Sequence, residues 1–186
     1  MMGADTVSST VLRRRSWPIF FGIAILGLGV GVTAAVFKVT AMHGFREGWQ
    51  GIPVFLAVAA VCGRIANSKV VMQGAVLLLV NPLRTYIIPK AMIRNVSVGD
   101  DGTLEVHLDE ERKIASFAFG GSLIDRINRT SPKAERNIRS WLHSSPAIER
   151  TDLQVRWSRC ILADLSLLLC VVTAGVGALW MALSSG

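Results

Sequence analysis

Asp164 is the only acid in the apolar run ILADLSLLLCVVTAGVGALWMAL, residues 161–183. An acid at that depth can move protons or ions, the chemistry of a transporter subunit or a membrane enzyme. Asp164 lies about one turn from the basic end of its run, so the simpler reading is a carboxylate that reaches the headgroups or pairs with Arg156 or Arg159. The three histidines, His43, His107 and His143, have no spacing that would gather them around a metal. The three cysteines, Cys62, Cys160 and Cys170, form no CxxC pair, and two lie in apolar runs, where Cys packs as a small hydrophobe. Gly120-Gly121-Ser122 could hold an anion on free backbone N–H groups, but no GKS or GxGxxG surrounds it. A strand-to-helix turn capped by Ser122 accounts for it. GxSxG, HExxH and P-loop motifs are all absent from the sequence. The expectation is therefore a protein with no catalytic residues, no metal and no cofactor.

The elements that would position these groups are mostly apolar. Of 186 residues, 51% are hydrophobic and 18% charged, too apolar for an ordinary soluble domain and too mixed for spans alone. Residues 17–39, WPIFFGIAILGLGVGVTAAVFKV, follow Arg13-Arg14-Arg15 and are long enough to cross a bilayer, which takes about 20 residues. The same features could mark a signal peptide with Val32-Thr33-Ala34 as its cleavage site, but the run is long for that role and its leader is polar. Residues 49–66 form a second, shorter run with Trp49 at one interface and Arg64 placed to snorkel at the other. Residues 161–183 form the third. Gly27 and Gly31 make a GxxxG in the first run, and Ala174 and Ala178 a small-xxx-small pair in the third. Both are candidate helix-packing positions, within the chain or toward a partner.

The net charge of +7 is explained by where the basic residues lie. Arg13, Arg14, Arg15, Arg64, Lys69, Arg150, Arg156 and Arg159 flank one side of the runs, and only Lys38 and Arg46 the other. The basic side is expected to be cytoplasmic. This accounts for the charge without nucleic acid, for which no basic, aromatic-interleaved patch or helix-turn-helix pattern is present. The chain then divides into a cytoplasmic segment 1–16, a transmembrane hairpin 17–66, a cytoplasmic domain 67–145, a linker 146–160 and a third span 161–183.

Residues 70–80, VVMQGAVLLLV, are as greasy as a span, but Gln73-Gly74 interrupts them and six residues remain before Asn81-Pro82. That length suits a buried strand. Strands are predicted over residues 69–73, 76–80, 83–88, 92–98, 103–109 and 113–119, with Gly99-Asp100-Asp101-Gly102 as a hairpin turn. Helices are predicted after Ser122 and over 132–143, the latter with Pro132 at its first helical position. The fold class is α+β: three transmembrane helices and a small β-roll or barrel capped by a C-terminal helix.

The run GAVLLLVNPLRTYIIPKAMIRNVSV followed by GTLEVHLDEERKIASFAF resembles bacterial pleckstrin-homology-like (PH-like) domains of actinobacterial membrane proteins. The resemblance covers residues 69–143. It implies two near-orthogonal sheets capped by a helix and no enzymatic activity. In phosphoinositide-binding PH domains a basic loop joins the first two strands. Here that turn is Gln73-Gly74, so phosphoinositide binding is not carried over. Arg84, Lys90 and Arg94, with Arg112 and Lys113 nearby in sequence, are the candidate contacts to anionic lipid or a partner. Glu105, Asp109, Glu110 and Glu111 are interleaved with them, as on an ordinary solvated face. The expected function is that of a multi-pass inner-membrane protein presenting a cytoplasmic domain to a protein partner or to a second copy of itself. Anionic-lipid sensing is the alternative, and a transporter or membrane-enzyme subunit the third.

Overall fold

The computed structural model of the protein describes residues 9–14, 16–109, 112–120, 130–144 and 152–184. Along the chain these form β1 (Ser9–Leu12), α1 (Ser16–His43), α2 (Phe45–Gly48), α3 (Gly51–Ala66), β2 (Lys69–Gln73), β3 (Val76–Val80) and β4 (Arg84–Pro89). A 3₁₀ turn (Lys90–Met92), β5 (Asn95–Val98), β6 (Leu104–His107), β7 (Lys113–Ala115) and a second 3₁₀ turn (Phe117–Phe119) follow. The last elements are α4 (Thr130–Ser144), β8 (Gln154–Trp157) and α5 (Ile161–Ser184). The chain folds as two units. One is built from α1, α2, α3 and α5, the other from the eight strands and α4.

In the helical unit, Ser16–His43, Phe45–Ala66 and Ile161–Ser184 are each long and apolar enough to cross a membrane. The first outruns its expected end at residue 39, because nothing between Val39 and His43 breaks the helix and only Gly44, at φ 82°, turns the chain. Small residues let α3 and α5 approach each other. A Cβ on Gly63 would stand 3.4 Å from that of Ala163, and one on Gly177 would fall inside the Trp49 indole. Short polar side chains of α5 bond to carbonyls of α3 along this seam. Ser166 Oγ donates to Leu56 O at 2.9 Å and Cys170 Sγ to Pro53 O at 3.1 Å.

The β-unit contains a five-stranded antiparallel sheet, order β1-β2-β3-β4-β8, and a three-stranded one, order β5-β6-β7. One core lies among both sheets and α4. It includes Val70, Leu77, Leu79, Ile88, Val96, Leu104, Val106 and Ile138. Ser131, Ala134 and Ile138 form the buried stripe of α4, at helical spacing. The helix is tied to both sheets: Trp141 Nε1 donates to Gly74 O at 3.2 Å, and the Arg139 guanidinium donates to Val96 O at 2.9 and 3.1 Å. Gly74 (φ 55°) and Gly102 (φ 85°) occupy the left-handed region that their tight turns need.

Several expectations about this unit are corrected. Residues 1–16 and 146–160 are not simply a leader and a linker, because Ser9–Leu12 and Gln154–Trp157 add edge strands to the five-stranded sheet. Both are four residues long and adjoin a long apolar helix or a charged stretch, so neither stands out as a periodic run. The last expected strand, 113–119, ends at Ala115 and tightens into a 3₁₀ turn, and the expected strand 92–98 begins only at Asn95. Helix α4 starts at Thr130, two residues before Pro132, which therefore lies inside the first turn rather than at its start. The helix expected after Ser122 lies outside the described residues.

Candidate functional site

The candidate basic residues are not brought together. Arg84 opens β4 and is exposed, whereas Lys90 follows the other end of that strand, about 20 Å along the chain at strand rise. Lys90 is buried. Its Nζ donates to Trp141 O at 3.0 Å and stands 5.3 Å from the Trp141 ring centroid, so its charge is held by a carbonyl and a π face. Its expected role as a surface contact is corrected to that of a brace between the end of β4 and α4. Arg94 is exposed beside the three-stranded sheet, where its backbone N–H donates to His107 O. Lys113 pairs with Glu105 at 3.0 Å, within reach of His107 at 3.7 Å. His107 Nε2 lies 2.9 Å from Ser97 Oγ, and His143 Nδ1 lies 2.7 Å from Arg139 O. Among the described residues no group of His, Cys, Asp or Glu could hold a metal ion.

Asp164 has a partner that its sequence neighbourhood did not reveal. The carboxylate binds the guanidinium of Arg64, 100 residues away, at 2.5 Å, and its second oxygen accepts from Cys160 N at 3.2 Å. The expected pairing with Arg156 or Arg159 is thus replaced by one between α3 and α5, and Arg64 does not simply snorkel to the headgroups. The arrangement locks two helices and caps the start of α5. Gly27 and Gly31 face open space, with nothing within 4 Å of a built Cβ. Ala174 is half-buried and Ala178 exposed. Small residues that meet a neighbouring element are Gly63 and Ala163, between α3 and α5, and Gly177, against Trp49 just before α3. A groove of about 490 Å³ opens at one end of this unit between Trp49, Ile52, Val176 and Trp180.

A second apolar surface lies on the five-stranded sheet. Because side chains alternate faces, Leu12, Val70, Leu79 and Tyr86 point with Met72, Leu77 and Ile88 toward the core. The register then aligns Val11, Val71, Leu78 and Ile87 in one row on the opposite face, across four strands. Val76 and Val80 flank that row. Val11 is 53% exposed and the others are half-buried, and none of them belongs to the core cluster. At strand spacings of about 4.8 Å and 3.3 Å this second apolar face spans roughly 300 Å² of sheet, the size of the largest apolar patch on a typical monomer, which is often functional. Sequence reasoning assigned all this hydrophobicity to one core. The signal for a second face was the lack of alternation in VVM and VLLLV, the pattern of strands covered on both sides. A separate groove of about 500 Å³, lined by Thr10, Met72, Gly74, Asn137, Ser140 and Trp141, runs beside α4.

No family model, no curated protein and no solved structure matches the chain.

Proposed function

We propose that the protein is a multi-pass inner-membrane protein whose β-unit, on the cytoplasmic side, is a non-catalytic docking module that joins a protein partner or a second copy of the chain. The observation that carries this reading is the apolar row Val11–Val71–Leu78–Ile87 on the sheet face away from the core. Water is a poor cover for such a face, and a protein surface of matching shape is a good one. The cytoplasmic assignment rests on the basic residues gathered at one end of the three apolar helices. The PH-like reading is supported by two antiparallel sheets around one core with a helix packed on it, and it is strained by the added edge strands β1 and β8.

The test uses full-length protein extracted in mild detergent, crosslinked and sized. The expected result is a partner complex or a defined oligomer. Replacing Val71, Leu78 and Ile87 by Ser should dissociate it, while the core residues Val70, Leu77 and Ile88 are untouched. Recovery of the wild type as a lone monomer, with no crosslinked neighbour, would overturn the proposal.

A further inference from the structure

The chain passes between the two units three times: through residues 13–15, through Asn67-Ser68 and through residues 158–160. Antiparallel pairing decides where those passages leave the five-stranded sheet. Leu12, the last residue of β1, pairs with Val70. Lys69, the first residue of β2, pairs with Val80, which pairs with Thr85. Trp157, the last residue of β8, pairs with Arg84. All three exits therefore lie at the same end of the sheet, although β1 and β8 are its opposite edges and lie more than 140 residues apart in sequence.

That end has a distinct chemistry. The segments of this unit composing it, residues 12–14, 67–69, 80–85 and 156–158, contain Arg13, the buried Arg14, Lys69, Arg84 and Arg156 and no acid. Register brings Lys69, Val80, Thr85 and Arg156 into one cross-strand row, with Arg84 and Trp157 just beyond it. Arg84 and Arg156 are exposed. Between the bases stand exposed large apolar side chains: Leu83 is 56% exposed, Trp157 64% and Phe117 43%. Phe117 is held at this end because Asn81, in the β3–β4 turn, accepts its N–H at 2.9 Å and donates to Ala115 O at 3.0 Å. Glu105, across the ladder from Ala115, is matched by Lys113.

We infer that this end of the sheet is a binding surface for the headgroups of anionic phospholipids. Arg84, Arg156 and Lys69 meet the phosphates, and Leu83 and Trp157 enter the interfacial layer. The inference rests on reading the three apolar helices as membrane spans. Given that, every exit leads within three residues into a span, and the bilayer is the surface of opposite charge that these strand ends must approach. Tryptophan between arginines suits that layer, where an amphipathic ring is half apolar and half wet. The site differs from the Arg84, Lys90 and Arg94 set expected from sequence, sharing only Arg84.

The experiment places the full-length protein in phosphatidylcholine vesicles with and without phosphatidylglycerol, using a nitroxide quencher on the lipid headgroup. The difference between wild type and W157F isolates Trp157 from the other four tryptophans. Quenching of Trp157 is expected, stronger with phosphatidylglycerol and relieved by salt. The R84Q/R156Q variant is expected to lose roughly 25-fold of the preference for anionic lipid, about fivefold per basic residue. The salt titration on wild type needs no variant and so does not depend on how well R84Q/R156Q folds. Quenching independent of phosphatidylglycerol and salt would overturn the inference, as would a Trp157 shielded from lipid and crosslinked to a protein neighbour. Failure of the protein to float with vesicles would overturn the membrane reading and this inference with it.

Discussion

At the scale of single residues, the ion pair Arg64–Asp164 decides more than either residue's position in its own helix. The Arg64 side chain is only 12% exposed, so its charge depends on a carboxylate placed by another helix, while Asp164 is 41% exposed and partly wetted. Asp164→Asn should cost about 1–3 kcal/mol in SDS unfolding of the detergent-solubilised chain, and Asp164→Glu much less. A second carboxylate sets a pH dependence. Asp101 accepts hydrogen bonds from Thr103 N at 2.9 Å and Thr103 Oγ1 at 2.7 Å, and these hold its pKa below the ordinary carboxylate value. The bonds favour the ionised form, so their contribution is fully present above the ordinary range and is lost as pH falls through the lowered value. Asp101→Ala should therefore loosen the β5–β6 hairpin at pH 6 and lose its effect once the pH has fallen below the lowered pKa, which hydrogen exchange at Thr103 and Leu104 would read.

At the scale of elements, the additions at the sheet edges change the domain most. Leu12 packs against the core from β1, a strand of four residues. Leu12→Ala should destabilise the β-unit by about 1–2 kcal/mol in thermal unfolding of the full chain, the loss expected for a half-buried leucine. An unchanged melting temperature would mean that β1 contributes no packing. This element also shows what could be read in advance. Strands β2, β3 and β4 were legible to within a residue, because Val, Ile and Leu runs are cut by Gln73-Gly74 and Asn81-Pro82. The three long helices were legible from apolar length alone. Strands β1 and β8 were not, because edge strands with every residue of β8 exposed carry no burial pattern, and their partners, β2 and β4, are remote in sequence. The site was half legible for the same reason. Arg84 stood out as a base after a turn, but its neighbours at the sheet end, Arg156 and Trp157, are joined to it only by strand register.

At the scale of the whole molecule, the order of strands along the chain constrains its topology. β1 precedes α1 and pairs with β2, which follows α3. If α1 and the Phe45–Ala66 helix each cross the membrane, an even number of crossings separates the two strands and both lie on one side. Removal of the first apolar helix by cleavage near Ala34 would take Ser9–Leu12 with it. The expectation is that the mature protein keeps these residues, and intact-mass measurement of the membrane-extracted chain checks it. The pairing of β1 with β2 has a consequence for biogenesis. If these helices span a membrane, a molecule in which only one of the two crossed would leave β1 and β2 on opposite sides and the edge of β2 bare. Such a chain would be open to proteases and to wrong pairing, whereas a correctly inserted one closes that edge itself. The β1–β2 pairing would thus couple completion of the sheet to the insertion of both helices.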